Sequence, residues 1–189
     1  MRFGFGLITC QRYPGDPRSD VELYADALEL AAEAERLGFD SVWTSEHHFV
    51  DDAYVPSVLP LCAAIAARTD RVLVGTALLL APLHEPVRIA EDAAVVDLIS
   101  GGRLVLGIGL GWREEEFDGL HVPIRERVAR LEDSIRVYRQ AWSGELVTGG
   151  EHLRYPSVAV RPRPATSAGP PIWIGAMSEP AVRRAGRLG

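Results

Sequence analysis

The chain alternates short apolar runs with amphipathic stretches from end to end. Residues 3–8 read as a first strand, followed by a Pro/Gly/Asp loop at residues 13–18. Ser19 and Glu22 then form an S-x-x-E capping box, the arrangement that satisfies backbone N–H groups left free by the first helical turn. Behind it Leu23, Ala27, Leu30, Ala31, Ala34 and Leu37 recur at helical spacing, and Gly38 predicts the stop. A second strand is expected over residues 41–44, and an Ala- and Leu-rich helix over residues 56–68.

Residues 71–80, RVLVGTALLL, are almost continuously apolar, as a strand buried on both faces would be. A helix follows over 86–99, closed by Gly101 and Gly102, then a strand over 104–108 and the turn Gly109-Leu110-Gly111. The longest helical pattern runs over 125–142, with Val128, Leu131, Ile135, Tyr138 and Trp142 on one side. Residues 144–171 are rich in Gly and Pro, with a hairpin expected at 151–160. A last strand at 172–174 and a helix starting at 179 complete the pattern.

Repeated βα units imply a parallel α/β sheet with right-handed crossovers. An open doubly wound sheet and a closed barrel both satisfy that order. A closed eight-fold barrel takes ~250 residues, and this chain supplies about five units. The expectation is an incomplete (β/α)8 TIM barrel, one domain over residues 1–189, with a loop or hairpin insertion before the fifth strand.

Composition narrows the class. The chain has 189 residues, 47% hydrophobic and 24% charged, enough to bury a substantial core. A net charge of -6 without a basic run argues against a nucleic-acid binder. No apolar run approaches the ~18 residues of a membrane helix. The opening MRFGFGLIT is too short and glycine-rich for a signal peptide. Cys10 and Cys62 match no metal spacing, which fits a reducing, cytoplasmic setting.

The chemistry concentrates after the second strand, where Glu46, His47 and His48 follow one another at the carboxyl end, the side on which α/β proteins place their sites. Histidine titrates nearest neutral pH and suits proton transfer. The competing reading is a pair of loop histidines bonded to nearby backbone. A metal site is disfavoured: adjacent side chains on an extended segment point apart, so one ion cannot easily collect His47 and His48. Three further segments are weaker on their own. Leu78 to Leu80 would line an apolar wall near a strand end, or simply pack the core. Gly109 and Gly111 would let a ring or phosphate approach backbone, although the G-x-G-x-x-G form is absent. Ser178 is placed to cap the last helix, and the acids at 114–116 read as a solvated first turn.

Taken together, FGFGLIT, GFDSVWTSEHHF, the block from Pro82 through Asp92, GIGLGW, EEFDGL and PPIWIGAMSE resemble the bacterial luciferase-like monooxygenase family of flavin- and coenzyme F-420-dependent oxidoreductases. The resemblance spans essentially the whole chain. It implies a (β/α) barrel with the cofactor at the carboxyl ends of the strands. It implies that His47, flanked by Glu46 and His48, lies near the cofactor's reactive edge and assists catalysis. A non-proline cis peptide with a bulge is implied at Ala77–Leu78, backing the ring. Gly109 and Gly111 would lie beside the cofactor, and a phosphate site is implied at Ser178. The helices over 55–68 and 86–99 would form a homodimer contact.

Two positions depart from the flavin-using pattern: Leu110 stands where some relatives carry an arginine, and Met177 where they carry an acid. About three βα units have no counterpart, which leaves open sheet edges. The implied function is oxidation or monooxygenation of a small organic substrate with reduced FMN and oxygen, or hydride transfer with coenzyme F-420. The alternative is a catalytically silent fragment or assembly module.

Overall fold

The computed structural model describes all residues, 1–189. Five parallel strands form its sheet in chain order: β1 (Gly4–Ile8), β2 (Ser41–Thr44), β3 (Leu73–Thr76), β4 (Leu104–Ile108) and β7 (Ile172–Ile174). The intervening helices are α1 (Asp20–Arg36), α2 (Val58–Arg68), α3 (Pro86–Ser100), the short α4 (Glu114–Gly119) and α5 (Arg127–Ser143). The hairpin β5 (Val147–Gly149) and β6 (Arg154–Val158) precedes β7, and α6 (Glu179–Leu188) follows it. These are five βα units of a barrel wall, with β1 and β7 as its two edges.

The strands are buried because their runs are apolar without alternation. Val42, Val74 and Leu104 meet in register across three strands, and each is at most 1% exposed. The helices answer with small side chains. Ala27, Ala31 and Ala34 on α1, and Ala90, Ala93 and Ala94 on α3, are all buried, which lets both helices lie close to the sheet. The capping box forms in full: Ser19 Oγ accepts from the Glu22 N–H at 3.3 Å, and Glu22 Oε2 accepts from the Ser19 N–H at 2.7 Å. Gly101 ends α3 in the left-handed region at φ 66°.

The run at 71–80 makes a shorter strand than its hydrophobicity predicts. Regular pairing stops at Thr76. Ala77 donates to the Thr44 carbonyl at 2.6 Å, and pairing resumes only at Leu79, which bridges Ile108. Leu78 is the extra residue of a bulge. The Ala77–Leu78 peptide bond is cis, as are Gly6–Leu7 and Arg161–Pro162. Residues 81–83 then turn as a 3-10 segment, fully packed. Continuous apolar character reported burial here, and burial is not strand length. Other boundaries moved by a few residues: α2 starts at Val58, α5 at Arg127, and the hairpin at Val147.

Two polar side chains tie βα units together. The Arg103 guanidinium donates to the carbonyls of Ala66, Thr69, Val72 and Ser100 at 2.7–2.9 Å, closing the end of α2 onto the start of β4. Glu35, at the end of α1, accepts from the backbone N–H groups of Asp70, Arg71 and Val72, including contacts of 2.6 and 2.8 Å, and so anchors the turn into β3. Burial would raise the Glu35 carboxyl, but those three N–H donors and Arg71 outweigh it and hold it below the usual 4.5. A folded value below the unfolded one stabilises the fold above pH 4.5, and the contribution fades as pH falls through the folded value. Glu35→Ala should therefore cost about 1–2 kcal/mol near neutral pH. In urea melts followed across acid pH the gap to the parent should close, and a gap independent of pH would contradict the assignment.

Candidate active site

β2 delivers its chemistry at the carboxyl end of the sheet. The chain leaves Thr44 through buried Ser45 and Glu46, and the two histidines that follow diverge as adjacent extended residues must. His47 points to α4, where its Nδ1 lies 2.8 Å from Glu116 Oε1. His48 turns the other way, with Nε2 2.7 Å from Glu46 Oε1. The His47 N–H is tied to the Val55 carbonyl at 3.1 Å, and its ring packs edge-on against Tyr54 at a centroid distance of 4.9 Å. Both contacts fix the ring.

Glu116 corrects the sequence reading. The acids at 114–116 were expected to be a solvated first turn, yet Glu116 has no exposed surface. Successive helical residues are ~100° apart, so three acids in a row cannot all face water when the helix packs. Glu114 and Glu115 stay outside, while Glu116 goes inward with Phe117. Its Oε1 accepts from His47 and also from the His48 backbone N–H at 3.0 Å, with Arg113 Nη1 3.7 Å away. Its Oε2 is enclosed and has no hydrogen-bond partner. An unsatisfied buried acceptor costs about 1–3 kcal/mol, and such groups are rare outside functional sites.

With its carboxylate accepting from Nδ1–H, Glu116 leaves the His47 Nε2 lone pair without a protein hydrogen-bond partner. A carboxylate behind an imidazole fixes its tautomer and stabilises the protonated ring, as suits a general base. The sequence held no direct signal for this pair, which is 69 positions apart.

His84, also absent from the sequence-based candidates, joins the other branch. Its Nε2 is 2.7 Å from the same Glu46 Oε1 that His48 contacts, and Glu46 Oε2 accepts from the Leu80 N–H at 3.1 Å. Burial alone would push the Glu46 carboxyl up; the hydrogen bonds from His48 and His84 outweigh it and hold it below the usual carboxylate range. The argument that one ion cannot collect His47 and His48 holds in this geometry. His84, which arrives from the segment after β3, nevertheless brings a second imidazole to the carboxylate that His48 contacts. Neither cysteine adds a nucleophile: burial pushes Cys10 up to about 11 and Cys62 up to about 12.

The residues expected around the cofactor gather unevenly. Leu78 projects over the carboxyl ends of β4 and β7. A Cβ on Gly109 would lie 2.8 Å from its Cδ1, and one on Gly175 2.1 Å. Those glycines make room for Leu78, which lies against them. Gly111, at φ 71°, backs onto the Phe117 ring. Ser178 stands at the start of α6, where its carbonyl accepts from the Val182 N–H at 2.9 Å while its exposed hydroxyl makes no capping bond. An open cleft of about 530 Å³ lies elsewhere, between α5 and α6.

The chain is thus a parallel βα wall of a barrel with a carboxylate-backed histidine at its carboxyl end. The family model of the luciferase-like monooxygenases matches residues 1–189, and the chain belongs to that family. It is 39% identical over 173 residues to an F-420-dependent glucose-6-phosphate dehydrogenase of Nakamurella multipartita, covering 87% of this chain and 50% of that protein. It is 31% identical over 175 residues to the oxygenase component of a flavin-dependent trigonelline monooxygenase of Acinetobacter baylyi, covering 91% and 48%. Among solved structures, monooxygenase RslO1 from Streptomyces bottropensis superposes with a TM-score of 0.88 at 32% identity, over 96% of this chain and 55% of that one. The chain thus spans about half the length of the relatives it matches.

The His47–Glu116 pair makes a direct spectroscopic prediction. Long-range 1H–15N spectra at mildly alkaline pH should show His47 as the Nδ1–H tautomer, the minor form of a free imidazole. Finding the Nε2–H form would remove Glu116 from its proposed place behind the ring.

Proposed function

We propose that this chain forms the cofactor-facing part of an oxidoreductase that acts on a small organic substrate, using reduced FMN with oxygen or hydride transfer with coenzyme F-420. The observation that carries this reading is the His47–Glu116 pair, which presents a free Nε2 at the carboxyl edge of a family barrel. Relatives of both cofactor classes match it at comparable identity, so both cofactors enter the proposal.

The residues present fit a flat ring with a phosphate tail. Leu78, seated on Gly109 and Gly175, offers an apolar support next to Ala77. The unengaged Ser178 hydroxyl and the first N–H groups of α6 offer donors to a phosphate. Such a cofactor supplies the redox chemistry when bound. His47 then takes up or delivers a proton through Nε2 at the reacting group. Glu116 holds the ring in the required tautomer, and Tyr54 limits its rotation. Glu46 and His48 hold the loop from behind.

Titration of the purified chain with FMN and with coenzyme F-420, followed by absorbance, should show one of them binding with a micromolar or tighter Kd. His47→Ala should leave that Kd nearly unchanged and slow cofactor turnover by about 100-fold. Glu116→Gln should retain binding, lose a smaller factor, and shift the pH–rate profile. If neither cofactor binds at high micromolar concentration, the enzyme reading of this chain fails and the assembly-module reading takes its place.

We further infer a homodimer through α2 and α3, in a cytoplasmic setting. No helix is long and apolar enough to cross a membrane. Val95, Leu98 and Ile99 form an exposed apolar strip on α3, each 41–49% exposed, at the i, i+3, i+4 spacing of a contact face. Light scattering should give twice the 20.6 kDa chain mass. Val95→Glu with Leu98→Glu should return a monomer, and a wild-type monomer would refute the dimer.

A further inference from the structure

We infer that Glu46, His48 and His84 form a binding site for one divalent transition-metal ion of the zinc type, separate from the His47 centre. Two imidazole Nε2 atoms converge on one carboxylate oxygen, each at 2.7 Å from Glu46 Oε1. The three donor atoms all lie within 4.8 Å of one another. Two imidazoles and one carboxylate are a donor set that binds zinc and leaves a fourth position open. Imidazole nitrogen also suits cobalt and nickel, whereas magnesium and calcium favour oxygen alone.

The geometry is close to what an ion needs. Bonds of ~2.0–2.1 Å in a tetrahedral site separate neighbouring donor atoms by about 3.3 Å. Each ring therefore retreats by roughly 0.6 Å to admit an ion between itself and Glu46. No protein group occupies the Nδ1 atom of either ring, so both can move their proton there and present an Nε2 lone pair. Glu46 is 1% exposed and already oriented from behind by the Leu80 N–H at 3.1 Å, the outer-shell support that ligand carboxylates use.

Access exists as well. Glu46 and His84 line a cavity of about 190 Å³ between α2 and α3, whose wall carries Glu85 and Asp92 against the single cation Arg88. The ligands come from the segments after β2 and after β3. An ion there would clip these two segments together beneath the His47 loop. His47 itself is excluded, because its Nδ1 belongs to Glu116 and it is not among the side chains whose donor atoms converge on Glu46. The site therefore stands whether or not the redox reading holds.

The test uses the tag-free, chelator-treated chain titrated with Zn2+ by calorimetry and with Co2+ by visible absorbance. The expected result is one ion per chain with a micromolar or tighter Kd, Zn2+ binding more strongly than Co2+. A Co2+ spectrum of low coordination number should appear, and the melting temperature should rise by several degrees at about 100-fold excess over Kd. His48→Ala and His84→Ala should each weaken binding by about 100-fold. His152→Ala, which removes the surface partner of Glu126 at 3.1 Å, should change nothing. If the two variants fail to fold, the wild type still decides: Zn2+ should move the ring resonances of His48 and His84 and leave those of His152 in place. Failure to bind at high micromolar Zn2+, binding unaltered by both variants, or unmoved His48 and His84 resonances would each overturn the site and leave a simple hydrogen-bonded triad.

Discussion

Two buried carboxylates divide a pair of adjacent histidines, and the arrangement of the site depends on that division. Glu46 is 1% exposed and Glu116 not at all. Neither has a lysine or arginine in direct hydrogen-bonded contact; the nearest cation is Arg113, 3.7 Å from Glu116. Such groups must collect N–H donors or be expelled. Glu46 collects His48, His84 and the Leu80 N–H, while Glu116 collects His47 and the His48 N–H. The segments after β2, β3 and β4 are thereby drawn together at one end of the sheet. Satisfying two internal charges and gathering the three histidines at one end of the sheet are the same act here.

The rest of the fold makes that convergence possible. A parallel sheet places the carboxyl ends of its strands side by side, and the alanine-lined helices pack closely enough to keep the strands in register. Opposite that end, Arg103 and Glu35 satisfy the backbone groups of the turns that enter β3 and β4. Their work is structural and their placement away from His47 keeps it so. The bulge at Leu78 breaks the regular pairing of β3 with β4, and it carries an apolar side chain onto the glycines that follow β4 and β7. Gly109, read from sequence as clearance for a ligand, is in part clearance for Leu78.

Much of this was legible beforehand because its causes are local. The Ser19 capping box, the strands at residues 41–44, 104–108 and 172–174, and the glycine stop after α3 follow from neighbouring residues alone. The prominence of Glu46-His47-His48 also follows from position after a strand. Residues 71–80 misled because burial and strand length share one signature, continuous apolar character, and only pairing separates them. The acids at 114–116 misled because three equal side chains on a helix carry no mark of which faces inward.

By itself the sequence determined the order of βα units, the membership in the luciferase-like family and the residue types able to move a proton. Periodicity, caps and strand-end position are properties of short segments, and short segments record them. Only the tertiary structure decided the partnerships. Whether His47 answers to Glu46 or to Glu116, and whether His84 belongs to the site at all, depends on three loops meeting across gaps of 34 to 69 residues. No local pattern encodes such a meeting. It is set by how the sheet closes its strand ends together and by the cost of leaving a buried carboxylate without donors.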